Sequence, residues 1–307
     1  MSGARALMVL NGKQAGDEAT RAAVQAWRER GRELAVRVTW EPGDAERIVD
    51  EALAAGCQRI VAAGGDGTLG EVAGVLARRG RRASLVALPL GTANDFARAA
   101  GIPDDPLEAL ALMDDEPVDI DLGRLGARYF LNMATGGFGS RVTASTSEEL
   151  KRFLGGGAYL ITGLSRFAEV RALRGQFRGP GFEWEGEFLA FGVGNGRQAG
   201  GGQVLCPRAR VDDGLLDLCI VPAPADAVGT LGTLLAGGLQ GIEAVSVGAR
   251  LPWLEVSAGE PLDVNLDGEP WAGEPLRFEI EAGRLRLHLP ADSPLLHDAG
   301  EALEKQA

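Results

Sequence analysis

The start of the chain alternates between two kinds of segment. Short apolar runs at Ala6–Leu10, Leu34–Thr39 and Arg59–Ala63 are separated by amphipathic stretches at Asp17–Arg30 and Asp44–Ala55. That order, β-α-β-α-β, constrains the fold strongly, because it points to a parallel sheet with helices on both faces and ligands at the carboxyl ends of the strands. The alternation continues through Leu69–Arg79, Ser84–Leu88 and Asn94–Ala100. The first half is therefore expected to be a doubly wound α/β domain.

After a helical stretch at Pro106–Met113 the character changes. Val118–Asp121, Tyr129–Ala134, Phe182–Val193, Leu216–Val221, Leu262–Leu266, Leu276–Glu281 and Leu285–Leu289 all read as strands, so the second half is expected to be antiparallel and β-rich, of the β-sandwich kind. A chain of 307 residues also exceeds what one core tends to hold. We divide it into residues 1–128, residues 129–294, and a C-terminal helix over 295–307 that packs back on the first domain.

Composition removes several classes of function. With 45% hydrophobic and 24% charged residues the chain can bury a core. Its net charge of −12 argues against nucleic acid as a partner, since phosphate-backbone binding needs a basic surface. The only histidines, His288 and His297, lie near the C-terminus, so a histidine triad or multi-histidine metal site lacks material. Carboxylates are the expected catalytic groups. Cys57, Cys206 and Cys219 show no CxxC spacing and read as small apolar residues. Ala6–Leu10 is too short for a signal sequence, and Ala227–Ile242 is shorter than the roughly 20 apolar residues of a spanning helix. A cytoplasmic location is expected.

The most informative motif is Gly64-Gly65-Asp66-Gly67-Thr68, between the apolar run Arg59–Ala63 and the helical pattern Leu69–Arg79. A strand, a glycine turn and a helix aim backbone N–H groups and the positive end of a helix dipole at one spot, which suits phosphate oxygens. The three lysines, Lys13, Lys151 and Lys305, sit in no GxxxxGK[ST] pattern, so this loop is not a P-loop. Asp66 would repel phosphate directly, which leaves it a role through Mg²⁺ or in holding the loop by backbone hydrogen bonds. The plain alternative is a glycine-rich turn of a doubly wound fold. A second turn, Pro89-Leu90-Gly91-Thr92-Ala93-Asn94-Asp95-Phe96-Ala97-Arg98, follows Ser84–Leu88. Asn94 or Asp95 could equally serve there as a helix N-cap.

Together these motifs resemble the bacterial diacylglycerol-kinase-like lipid kinases, and the YegS group in particular. GGDGT is shared with sphingosine kinases and NAD kinases, but the GTxNDFAR form is that of the diacylglycerol kinase catalytic domain. Leu10-Asn11-Gly12-Lys13, Val38-Thr39-Trp40-Glu41 with Gly43-Asp44-Ala45, Asn132–Gly139 and Gly194–Gly202 extend the likeness over nearly the whole chain. The resemblance implies that residues 1–128 bind ATP, with contacts at Thr39, at Gly64, Gly65, Asp66, Gly67, Thr68, Leu69, Gly70 and Glu71, and at Thr92 with Asn94 and Asp95. Gly70 departs from the asparagine usual in the family and removes one side-chain hydrogen bond near the nucleotide.

The resemblance assigns the second domain to lipid and metal. Arg210-Val211-Asp212-Asp213-Gly214-Leu215 matches a segment associated with magnesium, implying Asp213 with the backbone carbonyls of Arg210 and Leu215 as ligands of Mg²⁺, which Ca²⁺ could replace. Read alone, Asp-Asp-Gly between apolar runs is a hairpin turn. Asn265-Leu266-Asp267-Gly268-Glu269-Pro270 is similar to the family's LDGE signature and implies Glu269 as proton acceptor, with Asp267 as a metal, orienting or alternative base residue. Which carboxylate takes the proton is left open by the sequence.

Residues 141–180 hold Arg141, Lys151, Arg152, Arg166, Arg171, Arg174 and Arg178 against Glu148, Glu149 and Glu169, with apolar residues interleaved. They are a candidate for docking on anionic lipid, the alternative being a solvated, charge-balanced face. The implied activity is ATP- and Mg²⁺-dependent transfer to a hydroxyl of a membrane lipid such as phosphatidylglycerol or a diacylglycerol, at transient peripheral contact with the membrane. A soluble-substrate kinase of the NAD kinase type and a non-catalytic nucleotide-binding regulator are the competing readings.

Overall fold

The computed structural model describes residues 5–80, 82–137, 172–223, 246–271 and 273–297. The chain forms two compact units: residues 1–122 with 211–213 and 282–307, and residues 123–210 with 214–281. The sequence gives no sign of this interleaving. Short returns of the chain, at Val211–Asp213 and again from Ala282, add to the first unit residues that lie far along the sequence.

The first unit is built on four parallel strands, β1 (Ala6–Leu10), β2 (Leu34–Val38), β3 (Arg59–Gly64) and β4 (Ser84–Pro89), in the order β4-β3-β1-β2. β1, β3 and β4 are buried almost throughout, as strands covered on both faces must be. Helices α1 (Glu18–Glu29) and α2 (Asp44–Ala54) bury one stripe each, Ala23, Val24 and Trp27 in the first and Ala45, Ile48, Val49 and Ala52 in the second. Asp17 caps α1 by accepting the Thr20 N–H at 2.6 Å. α3 (Asp66–Arg79) begins at Asp66 rather than Leu69, because Gly65 in extended conformation turns the chain from strand to helix within one residue. α4 (Asp95–Ala99), α5 (Pro106–Ala111) and the first part of β5 (Val118–Leu125) complete the unit.

Two late segments are fastened into it. Val211 N–H donates to Leu295 O at 3.0 Å, Asp121 N–H donates to Val211 O at 2.6 Å, and the carboxylate of Asp212 accepts His297 N–H at 2.9 and 3.0 Å. Leu295 is fully buried there. Leu295–His297 are turn and irregular backbone, and the rest of the expected C-terminal helix lies outside the described residues.

The second unit is antiparallel. Its strands are β6 (Arg128–Phe130), β7 (Met133–Gly136), β8 (Leu173–Gly179), β9 (Phe182–Gly194), β12 (Leu216–Pro222), β13 (Val247–Leu251), β14 (Trp253–Ala258), β15 (Val264–Leu266), β16 (Glu269–Trp271) and the first part of β17 (Leu276–Leu287), with β10 (Gln198–Ala199) and β11 (Gln203–Val204) as a separate small hairpin. β9 pairs β8 along its first half and both β7 and β12 along its second. Phe177, Trp184, Phe188, Phe191 and Phe278 fill the interior through edge-to-face contacts, with Phe177 and Phe188 centroids 5.2 Å apart.

Several expectations are corrected here. The strand expected over Tyr129–Ala134 breaks at Leu131–Asn132, whose N–H groups bond a side chain instead of a neighbouring strand. Leu276–Glu281 and Leu285–Leu289 are one strand, β17. Asp212-Asp213-Gly214 is not a hairpin turn: β12, which follows it, pairs with β9 and β13. Cys206 and Cys219 are buried as expected and burial pushes the Cys206 thiol up, whereas Cys57 is only half-buried.

β8 falls inside the basic segment 141–180. It alternates Leu173, Gly175 and Phe177 inward with Arg174, Gln176 and Arg178 outward, a period of two that its charge obscures. Arg174 pairs with Glu185 and Arg178 with Glu183, both at 3.0 Å on β9, so each of these two exposed arginines has an acidic partner on the next strand. Arg141, Lys151, Arg152, Arg166 and Arg171, together with Gly155–Gly157 and Ala227–Ile242, lie outside the described residues. Gly200–Gly202 form the turn of the β10–β11 hairpin, each with positive φ.

Candidate active site

In the first unit the carboxyl ends of β1, β2, β3 and β4 carry the sequence-predicted nucleotide residues. The ladders continue past the strand ends: Asn11 N–H donates to Ala63 O at 2.8 Å, Thr39 N–H to Leu10 O at 2.9 Å, and Leu90 N–H to Gly64 O at 2.8 Å. These bonds hold the loops after the four strands at one level.

The first helical bond of α3 is Leu69 N–H to Gly65 O at 3.1 Å, so the N–H groups of Asp66, Gly67 and Thr68 have no partner within the helix. The glycines are needed where the two turns meet. A Cβ on Gly91 would lie 2.6 Å from the Gly65 Cα and 2.8 Å from the Asn94 Oδ1, and one on Gly65 would lie 3.3 Å from the Gly91 Cα. Two backbones therefore pass in direct contact beside the start of α3, leaving amides near the surface without side chains over them. A small pocket lined by Gly64, Gly65, Asp66, Leu69, Pro89 and Asn94 opens beneath them.

The polar side chains brace this arrangement. Thr68 is buried, and its hydroxyl accepts the Asn11 amide at 2.9 Å. Asp66 accepts the Phe96 N–H at 3.2 Å and so ties α3 to α4. Asn94 adopts a left-handed conformation, φ 50°, and its amide bonds both the N–H and the C=O of Gly91 at 2.9 Å. Asn94 does hold the N-cap position of α4, but its amide closes its own turn and the helix N–H of Phe96 goes to Asp66 instead. Asp95 is buried in the first turn of α4. Thr39 accepts the Gly12 N–H at 3.3 Å, and Thr92 and Glu71 are exposed. Gly70 lies in α3 one turn in.

Asn11 and Asp44 were not singled out as site residues by the sequence. Asn11 connects the β1 loop to Thr68, and the buried carboxylate of Asp44 accepts Trp40 N–H at 2.7 Å and Glu41 N–H at 3.1 Å. Arg47, hydrogen-bonded at 2.6 Å, and these two amides hold the Asp44 carboxyl down at about 2. An Asp following a Gly that follows a strand was the available signal.

The second unit contains the two expected carboxylates on one hairpin, β15–β16. Asp267 and Gly268 form its two-residue turn with φ 49° and 96°, as a primed turn requires, and Asn265 Oδ1 accepts the Gly268 N–H at 2.7 Å. The two acids are in opposite situations. Asp267 accepts three backbone N–H groups, from Leu131 at 2.6 Å, Asn132 at 3.0 Å and Met133 at 2.8 Å. Glu269 is exposed at the start of β16, and its carboxylate has no hydrogen bond or ion pair among the described residues.

Of the three expected metal ligands, Arg210 and Leu215 belong to the second unit and Asp213 to the first. Among the described residues no group of three His, Cys, Asp or Glu side chains is placed to hold a metal. The neighbouring carboxylate, Asp212, accepts the His297 N–H with both oxygens.

Residues 5–125 match the family model of the diacylglycerol kinase catalytic domain, and residues 132–289 match that of the YegS C-terminal NAD kinase beta sandwich-like domain. The chain is 68% identical over 294 residues to a probable lipid kinase YegS-like of Pseudomonas aeruginosa PAO1, covering 96% of this chain and 97% of the relative. The chain belongs to the YegS-like lipid kinases. A second relative, from Pseudomonas fluorescens Pf0-1, bears the same name and is 62% identical over 296 residues, 96% of this chain and 97% of its own. A crystal structure of a putative diacylglycerol kinase from Bacillus anthracis str. Sterne superposes with a TM-score of 0.80 at 24% identity, covering 94% of this chain and 95% of that one, and so shares the fold. As a YegS-like lipid kinase the chain is an enzyme, with a diacylglycerol-kinase-type α/β domain and a β-sandwich domain.

Proposed function

We propose that this enzyme transfers the γ-phosphate of ATP to a hydroxyl of a membrane lipid, phosphatidylglycerol or a diacylglycerol-like acceptor, with Mg²⁺ as its metal. The observation that carries the nucleotide half is the contact of Gly65 with Gly91 at the start of α3, where bare amides and a helix dipole favour phosphate. Thr39, Gly64–Glu71, Thr92, Asn94 and Asp95 form or brace that cradle. Asp66 acts by holding α4 to α3.

Glu269 is assigned as proton acceptor and Asp267 as the residue that positions it. The lone pairs of Asp267 are engaged by three amides, while those of Glu269 are open to an incoming hydroxyl. The lipid hydroxyl oxygen bonds to the γ-phosphorus, the bond from that phosphorus to the β,γ-bridging oxygen breaks, ADP leaves with the electron pair, and the hydroxyl proton passes to Glu269. A hard cation would be held by Asp213 with the carbonyls of Arg210 and Leu215, an all-oxygen set with one negative charge that suits Mg²⁺ and also Ca²⁺. It would neutralise charge; the chain's own residues position the reactants.

No helix among the described residues is long and apolar enough to cross a membrane, which fits a peripheral encounter with lipid from the cytoplasm. The test is transfer of labelled γ-phosphate from Mg-ATP to a panel of lipids in mixed micelles, with wild type beside Glu269→Gln. Label on one lipid with wild type, and its loss in the variant, supports the reading. Label on NAD or another soluble alcohol and on no lipid would overturn it.

A further inference from the structure

We infer that Trp40 is the platform on which the base of the nucleotide stacks. This rests on the ATP-dependent reading above and extends it from the phosphates to the base. Trp40 is 93% exposed, and the other exposed large apolar side chain among the described residues, Val38, is 43% exposed. Aromatic side chains normally bury most of their area. Here the ring is in water although its backbone is fixed: Trp40 N–H and Glu41 N–H both donate to Asp44, and Thr39 N–H donates to Leu10 O. A pinned backbone with a bare ring presents that ring to something.

Its place in the sheet says what. In the order β3-β1-β2 the loops beyond the strand ends carry Gly65 and Thr68, then Asn11 and Gly12, then Thr39 and Trp40. Hydrogen bonds from the Asn11 amide to Thr68 and from Gly12 N–H to Thr39 join the three loops into one polar track. Trp40 ends the track two strand spacings, about 10 Å, from the phosphate loop. That is the reach of a nucleotide from its phosphates to its base, and an aromatic face at that distance is where a base finds a stacking partner. A membrane is the poorer occupant. Anionic lipid favours basic residues beside an inserted aromatic, and the next residue, Glu41, is an exposed carboxylate.

Stacking accepts any base, so Trp40 should strengthen binding of nucleotides without choosing among them. The experiment measures the Kd of Mg-ATP, Mg-GTP and inorganic tripolyphosphate for wild type, Trp40→Ala and Trp40→Phe, with sedimentation on phosphatidylcholine–phosphatidylglycerol vesicles in parallel. Trp40→Ala should weaken both nucleotides by about 5- to 100-fold, the range that loss of one base–aromatic stack produces. Trp40→Phe should keep most of the affinity, tripolyphosphate binding should not change, and thermal stability should be that of wild type. Equal weakening of tripolyphosphate, or unchanged nucleotide binding with loss of vesicle binding, overturns the assignment. Wild-type protein that binds neither nucleotide overturns the ATP-dependent reading itself, and the platform with it.

Discussion

Asp66 accepts the backbone N–H of Phe96 at 3.2 Å, so the carboxylate of one glycine motif secures the first turn of the helix that the other motif opens. The sequence allowed Asp66 either a role through metal or a role in holding the loop, and this bond is of the second kind. Asp66→Ala should remove a charge-assisted hydrogen bond and cost about 1.5–3 kcal/mol of stability, read as a lowered urea midpoint. Asp66→Asn keeps an oxygen for the Phe96 N–H and should recover most of that loss. If Asn were as damaging to nucleotide affinity as Ala, while restoring stability, the charge of Asp66 and not its hydrogen bond would be what the site uses.

The approach of Gly65 and Gly91 makes a graded prediction. A methyl group on Gly91 would meet the Gly65 Cα at 2.6 Å and Asn94 Oδ1 at 2.8 Å, whereas one on Gly65 would meet Gly91 at 3.3 Å. The first requires backbone to move and the second a shift of a few tenths of an ångström. Gly91→Ala should therefore lose about 1–3 kcal/mol, as overpacked sites do, and Gly65→Ala less. Nucleotide affinity should follow the same order. Thermal melts and ATP titrations of the two variants check it, and the reverse order would sink the close-contact account.

Asp267 and Glu269 should separate stability from turnover. Asp267→Ala strands three backbone N–H groups and removes a residue that tolerates φ 49°, so a loss of about 3 kcal/mol or more is expected. Glu269→Gln changes an exposed side chain without partners among the described residues and should leave the melting temperature unchanged. Turnover should fall by about 10²–10⁴-fold with KM for ATP unaltered, the signature of a lost proton acceptor. An active Glu269→Gln enzyme would return the base role to another group.

What the sequence revealed was local. The strand–turn–helix pattern around Gly64–Thr68 and Gly91–Arg98 depends on neighbours within a few residues, and its elements appear within a few residues of where periodicity places them. What stayed hidden was pairing at long range. β8 looked like a basic segment because Glu183 and Glu185, which match Arg178 and Arg174, lie on the next strand. The duty of Asp267 could not be read because its three donors precede it by 134 to 136 residues. The start of α3 was missed for a different reason: Gly65, its N-cap, carries no side chain to announce the helix. Trp40 shows the converse case, since nothing in a sequence distinguishes an exposed tryptophan from a buried one.

Two titrating groups should mark the pH dependence of stability in separate windows. His288 is buried in the first unit, its Nδ1 donating to Leu112 O at 2.9 Å and its Nε2 facing the Ser84 hydroxyl at 2.9 Å. Burial, only partly opposed by the Leu112 carbonyl, pushes the imidazole below its ordinary 6.5. The fold therefore holds His288 neutral while the unfolded chain takes up a proton as pH drops through 6.5, so this contribution is full above 6.5 and declines below it. Asp44 behaves differently. Its carboxyl sits at about 2 in the fold, against 3.8 ordinarily, so its contribution is intact above 3.8 and disappears as pH falls toward 2. Urea midpoints from pH 8 to 5 should fall for wild type and fall less for His288→Gln, whereas Asp44→Asn should run parallel to wild type there and converge with it only below pH 4. Parallel curves for wild type and His288→Gln between pH 8 and 5 would mean that the imidazole is no more reluctant to protonate in the fold than in the unfolded chain.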